Sequence, residues 1–291
     1  MYEVVNVGAQ PGGEAFLLVT PERTALVDAG FAHSAGRMIE NIKKALGDRP
    51  LDYVLLTHSH YDHASGSIYC KREWRDVQVV GSVHAAAVFQ KDSARRLIRE
   101  MNENAAMLAG VAEYEDITDG LTVDTVVGEG DVIDLGSLKL RVIETPGHTR
   151  CCISFFSEEE KLLIACETLG VPAGDGVVMP CYMTGYQATM DSVMKMAAVK
   201  PRAILVPHYG LWQGEKCYEF IGDAIFWNAE TMRLMWSEYA AGKTEEELKG
   251  LFRERFYTEQ MARLQPEKAF LLNADYTIPL LLKEIERKMK K

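Results

Sequence analysis

Two packed β-sheets with helices outside, an α/β arrangement extended by helices at the C-terminus, is the fold this 291-residue sequence predicts. Three observations carry the prediction. Short apolar runs that read as strands open the chain, a second β-rich block occupies about residues 121–166, and from about residue 213 onward the pattern is helical.

In chain order, "YEVVNV", "AFLLVT" and "TALVD" are the first strands. "SAGRMIENIKKAL" then places Met38, Ile39, Ile42 and Leu46 on one helical face, with Ser34 as its cap. "LDYVLLT" is a strand, "DVQVVGS" another, and residues 83–109 read as largely helical. "LTVDTVV", "LKLRVIET", "CCISFFS" and "KLLIAC" follow as strands between Gly, Asp or charged turns. A helix around 186–198 and the strand "AILVP" complete a first domain, residues 1–212. Residues 213–291 form a helical extension that acts as a cover, a lid or a dimer element. Its Phe220, Ile221, Ala224, Ile225, Met232, Met235, Trp236 and Tyr239 recur at helical spacing. The "KEIERKMKK" tail reads as a solvated helix end whose cations suit a C-terminus.

A formal net charge of −10 argues against a broad nucleic-acid footprint, which needs a basic face. No stretch approaches the roughly 20 apolar residues of a membrane span. The N-terminal residues begin a strand at once, so no signal peptide is expected. Six scattered cysteines without CxxC spacing fit a reduced compartment. The expectation is a cytoplasmic protein acting on a small molecule.

"LLTHSHYDHASG" (55–66) concentrates three of the seven histidines, His58, His60 and His63, with Asp62, directly after an apolar strand. As core packing this is hard to explain, because each buried imidazole would need its own partner. In extended chain His58 and His60 share a face, and Asp62 suits a helix start. His148 in "IETPGHTRCCISF", Glu167 in "KLLIACETLG" and His208 in "AILVPHYG" also stand at strand ends, where loops carry chemistry on a rigid scaffold. Five of seven histidines so placed point to a metal centre. His33 and His84 lack that context and read as surface or satisfied side chains. Cys151 and Cys152 follow His148, and alternation along "RCCISFF" puts one of them in the core. Tyr61 and Tyr209 flank candidate ligands; each is a candidate donor to a substrate oxygen, with packing as the competing reading.

The H-x-H-x-D-H motif at 58–63, the "GHT" at 147–149, the late histidine at 208 and "VDAG" at 27–30 together resemble the metallo-β-lactamase superfamily over about residues 3–210. The resemblance implies a four-layer αββα sandwich with two metals at one edge. His58, His60 and His148 would hold one ion, and Asp62, His63 and His208 the other. The carboxylate that bridges the ions in the family is usually Asp, and here Glu167 takes that place. Glu is one methylene longer, so it bridges only if its backbone sits further back or its side chain bends.

Such a site would use a metal-bound hydroxide on a small ester, lactone or thioester, with Asp62 orienting the nucleophile or passing a proton. The donor set suits zinc, iron or manganese. A phosphodiesterase of the same fold is the first alternative. A non-catalytic metal-bearing protein that binds a regulatory partner is the second, and a homodimer through the C-terminal helices is compatible with any of these. The basic glutathione-binding elements of glyoxalase II-like relatives are not matched. A di-iron redox enzyme is disfavoured, since the flavodiiron motif has Glu where this chain has Ser59 and its flavin domain is not seen. A persulfide dioxygenase uses fewer metal ligands than are offered here.

Overall fold

The computed structural model describes residues 1–290, without the side chain of Ala269. Its first sheet runs in the order β1 (Glu3–Asn6), β2 (Phe16–Val19), β3 (Thr24–Val27), β4 (Tyr53–Leu55), β5 (Gln78–Ser82) and β6 (Thr125–Val127). The first three strands are antiparallel, and β3 to β6 are parallel. Parallel neighbours need crossovers, and helices supply them. α1 (Ala35–Leu46) joins β3 to β4. α2 (Tyr61–Ala64) and α3 (Ser67–Glu73) join β4 to β5, and α4 (Val83–Phe89) and α5 (Asp92–Leu108) join β5 to β6.

The second sheet contains β7 (Val132–Asp134), β8 (Lys139–Glu144), β9 (Ile153–Ser157), β10 (Leu162–Ile164), β13 (Ala203–Val206) and β14 (Gly210–Gln213), side by side in that order. Its β10–β13 pair alone is parallel, and α6 (Tyr186–Ala198) lies in that crossover. The hairpin β11 (Val171–Gly174)–β12 (Val177–Met179) also falls in the crossover. Four helices follow: α7 (Glu215–Ala240), α8 (Glu245–Phe256), α9 (Glu259–Leu264) and α10 (Glu267–Met289).

Period-two alternation explains the layering. Phe16, Leu18, Ala25, Val27, Leu55 and Val80 of the first sheet meet Leu140, Val142, Phe155, Ile164 and Leu205 of the second in one core. The intervening Leu17, Leu26, Val54 and Val79 face away, onto Met38 and Ile42 of α1 and Phe89 of α4. On the far side, Phe156, Leu163 and Ile204 pack on Val193 and Met196 of α6 and Phe220 and Ala224 of α7. The result is helix, sheet, sheet, helix. Strands covered on both faces read as continuous apolar runs, which is why they stand out in the sequence.

The helices after residue 213 have a core of their own: Met232 and Met235 of α7 join Phe252, Phe256, Met261, Phe270 and Ile278 around the 171–179 hairpin. α7 therefore lies with its first half on the second sheet and its second half in this cluster. Among the described residues, no helix is long and apolar enough to cross a membrane. The "KEIERKMKK" tail belongs to α10 up to Met289, and Lys291 lies outside the described residues.

Three local expectations change. Ser34 occupies the residue before α1 but its side chain makes no capping bond, because it ends a 3-10 turn (Ala32–Ser34) at φ −107° and ψ 1° rather than in the extended conformation of a cap, and its hydroxyl donates back to Phe31 O at 3.5 Å. "LTVDTVV" is a strand only from Thr125, since the Asp124 carboxylate accepts the Val79 N–H at 2.9 Å and takes the place of a ladder bond. Cys151 and Cys152 are both buried, not one of them; they sit in the turn before β9 begins at Ile153, where strand alternation does not apply.

Phe155 is fully enclosed between the sheets. Phe155→Ala is expected to cost about 3–5 kcal/mol, read as a lowered urea midpoint with an unchanged slope.

Candidate metal centre

Four strand ends bring the chemistry to one edge of the paired sheets. β4 delivers residues 58–63 into α2, the β8–β9 turn delivers His148, β10 runs into a 3-10 turn starting at Glu167, and the β13–β14 turn carries His208. The Ile153 N–H donates to Thr57 O at 2.9 Å, tying the two sheets together beside the site. Thr168 links two of the loops: its hydroxyl accepts the His148 N–H at 3.0 Å and donates to Thr145 O at 2.8 Å. A Cβ on Gly147 would lie 2.3 Å from the Thr168 methyl, so this approach requires glycine.

Two groups of donor atoms result, each within 4.8 Å of one another: His58, His60, His148 and Glu167 in one, and Asp62, His63 and His208 in the other. All seven predicted ligand candidates are thus brought together. His148 Nε2 lies 2.9 Å from His60 Nδ1 and 2.7 Å from Glu167 Oε2. Glu167 Oε2 is also 3.5 Å from His58 Nε2, while Oε1 is 3.0 Å from His208 Nε2. Oε1 therefore faces the second group through His208, while Oε2 faces the first and also lies 3.8 Å from His63 Nε2 of the second. His33 and His84 stay outside: His33 stacks on Phe31 and meets Gln10, and His84 is exposed. No cysteine belongs to either group among the described residues.

Proton accounting behind the ring nitrogens fixes which lone pairs face inward. A carboxylate can only accept, so the 2.8 Å contact of His63 Nδ1 with Asp28 makes Nδ1 the donor and turns Nε2 to the site. The Thr57 hydroxyl donates to Asp28 at 2.9 Å, so it accepts from His58 Nδ1 at 3.1 Å. His58 Nε2 is left facing inward. His208 Nδ1 lies 3.0 Å from Glu14. The buried Nε2 atoms of His58 and His63 have no hydrogen-bond partner among the described residues. Buried polar atoms are rarely orphaned, and five imidazoles with two carboxylates converging around such atoms fit divalent metal binding.

Electrostatics agree. Burial, with neighbouring imidazoles, drives His58 well below the usual histidine range and His60 down to about 3. Burial also opposes charge on His63, but Asp62 and Asp28 outweigh it and hold His63 at about 9. For Glu167, burial is overcome by His148 and His208, which keep its carboxyl well below the ordinary range. Burial pushes Asp62 up, against the pull of His63.

The flanking tyrosines differ. The Tyr209 hydroxyl donates to Pro172 O and accepts from Gln260 at 3.3 Å, so it is committed to the scaffold. The half-buried Tyr61 packs against Phe31, and its hydroxyl makes no hydrogen bond among the described residues. Sequence reading missed Thr57 and Glu14 and met Asp28 only as part of "VDAG". A buried acid at a strand end was the available signal for Asp28; Glu14 offered none.

The metallo-beta-lactamase superfamily model matches residues 11–208. The chain belongs to the metallo-beta-lactamase superfamily. It is 28% identical over 176 residues to a hydroxyacylglutathione hydrolase of Nitrobacter winogradskyi, covering 60% of this chain and 53% of that protein. A hydroxyacylglutathione hydrolase of Bradyrhizobium sp. (strain BTAi1) is 32% identical, with the same coverage. The chain spans about half the length of these relatives. A crystal structure of an archaeal superfamily protein from Sulfolobus tokodaii has a TM-score of 0.61 at 19% identity, over 90% of this chain and 98% of that one. Membership accounts for the αββα layering.

A metal must displace the proton that His63 holds up to about pH 9. Loading the stripped protein with a divalent cation is therefore expected to release protons, with affinity rising as pH increases toward that value. Calorimetry in buffers of different ionisation enthalpy checks this; an affinity indifferent to pH between about 6 and 9 contradicts it.

Proposed function

We propose that the chain is a metal-dependent hydrolase working with two divalent ions on a small ester, lactone or thioester. The observation that carries this reading is the pair of adjacent donor groups faced by the two oxygens of one carboxylate, Glu167. When bound, such a pair of ions supplies a hydroxide nucleophile near neutral pH and polarises the substrate oxygen. His58, His60 and His148 would hold one ion and Asp62, His63 and His208 the other, with Glu167 between them.

The chain's own residues supply position and proton handling. Asp62 has the most exposed carboxylate of the donor set, its side chain 21% exposed against 11% for Glu167. It is the carboxylate that reaches reacting groups, orienting the nucleophile and taking its proton at an Oδ. Tyr61, with its hydroxyl uncommitted, donates to a substrate oxygen at the mouth. Asp28, Thr57 and Glu14 hold the ligand rings and keep their inward nitrogens free. Residues 1–212 carry this chemistry; residues 213–291 act chiefly as a cover, a role supported by the packing of α7 on the second sheet. The relatives named for hydrolysing a hydroxyacylglutathione support an acyl substrate within the proposed set.

Elemental analysis of freshly purified protein, followed by ester, lactone, thioester and phosphodiester substrates, tests the reading. Two ions per chain and turnover of an acyl substrate are expected. A fully loaded protein inert to every class refutes the hydrolase assignment. His60→Ala should deplete metal and lower kcat by at least about 100-fold; full turnover in that variant would sink the ligand set. Glu167→Asp should keep both ions if position governs bridging, and loss of one ion shows that the longer side chain is required.

A further inference from the structure

His208 is the candidate ligand whose local geometry is least self-supporting. Its backbone lies in the left-handed region at φ 65°, unusual for a residue with a side chain and stable only when surroundings hold it. It stands in a three-residue connection between β13 and β14, with Tyr209 N–H returned to Val206 O at 3.1 Å. What meets its outward nitrogen comes from the other end of the chain: Glu14 Oε2 lies 3.0 Å from His208 Nδ1, across 194 residues of sequence.

We infer that Glu14 is a positioning residue for the second ion, holding the His208 ring so that Nε2 points into the Asp62–His63–His208 group. The inference rests on the two-ion reading above. Glu14 is itself fixed. Its Oε2 accepts the Gly12 N–H at 3.0 Å, and Gly13 N–H donates to Gln10 O. A Cβ on Gly13 would come within 2.4 Å of the Phe31 ring, so the loop is seated directly on the segment that follows Asp28. The loop's other side meets the C-terminal helices, where Leu264 O stands 3.0 Å from the position of a Cβ on Gly12. α9 also holds the neighbour of His208, through Gln260 on the Tyr209 hydroxyl.

Glu14 thus does for His208 what Asp28 does for His63. Both carboxylates accept from an Nδ1 and leave the Nε2 inward, at 3.0 and 2.8 Å respectively. Together with His63 and His208 they line one small cavity of about 10 Å³. Carboxylates in this relation to a ligand histidine fix its orientation and raise its basicity, and removing one typically lowers metal affinity roughly 10–100-fold. Among the described residues the Glu14 carboxylate bonds only Gly12 and His208, while in the first group Thr57 backs His58 and the His60 and His148 rings meet each other. The effect is therefore confined to one ion of the pair.

The test loads stripped wild type, Glu14→Ala, Glu14→Gln and Glu14→Asp with Co²⁺ alone. It reads stoichiometry after gel filtration, stepwise affinity by chelator competition, and the visible Co²⁺ spectrum of each step. Two ions are expected in wild type. In Glu14→Ala one step should be unchanged and the other reduced roughly 10–100-fold, with the spectrum of the weakened step altered. Glu14→Gln, which keeps an acceptor without charge, should fall between, and its near-identical shape keeps the test valid if the alanine variant folds poorly. Glu14→Asp should regain part of the loss. Affinities at both steps within about twofold of wild type in both Glu14→Ala and Glu14→Gln overturn the role of Glu14, as does an equal loss at both steps. A wild type that binds one Co²⁺ overturns the two-ion reading itself, and with it any second site for Glu14 to serve.

Discussion

A buried carboxylate ringed by imidazole nitrogens is the constraint around which this molecule is organised. Glu167 is 8% exposed, yet four ligand-candidate histidines lie close enough to its two oxygens to set their charge. An isolated carboxylate at that depth would be protonated or would disrupt the fold. It is tolerated because positive charge, whether protons on His63 and His208 or bound cations, stands opposite it. A centre of this kind is stable in proportion to how well its cations are held, which couples metal binding to the integrity of the sheet edge.

Holding the rings is a task for residues one layer back. Asp28 serves two of them, taking the His63 N–H directly and the His58 ring through Thr57. It sits at the end of β3 in a left-handed conformation, φ 53°, and so trades local strain for a fixed carboxylate beneath the motif. The Thr57–Ile153 backbone bond then locks this assembly to the second sheet, where His148 begins. Rigid strands fix the ends of the loops, and short loops leave the candidate ligands little freedom.

The helices after residue 213 bear on the site and, among the described residues, supply no candidate ligand. Their core wraps the 171–179 hairpin that follows Glu167, and α9 reaches both the loop of Glu14 and the hydroxyl of Tyr209. Tyr209, for which packing competed with a donor role in the sequence, is a strut between these helices and the β13–β14 turn. These helices are thus joined, through Gln260 and Leu264, to the residues around His208.

The sequence by itself determined the layers and the local ligand cluster, for reasons of short range. Strands buried on both faces must be apolar throughout, and helices against them must be apolar on one face, so both patterns persist in the linear text. His58, His60, Asp62 and His63 lie within six residues, and His148, Glu167 and His208 each end an apolar run. What only the tertiary structure decided are the contacts between distant segments: the two oxygens of Glu167 turned to different groups, Asp28 and Glu14 behind their histidines, the burial of both Cys151 and Cys152, and the 171–179 hairpin. These depend on where loops from opposite ends of the chain are brought by sheet pairing. A residue such as Glu14, polar in a glycine-rich turn, carries no periodicity that could announce a partner 194 positions away.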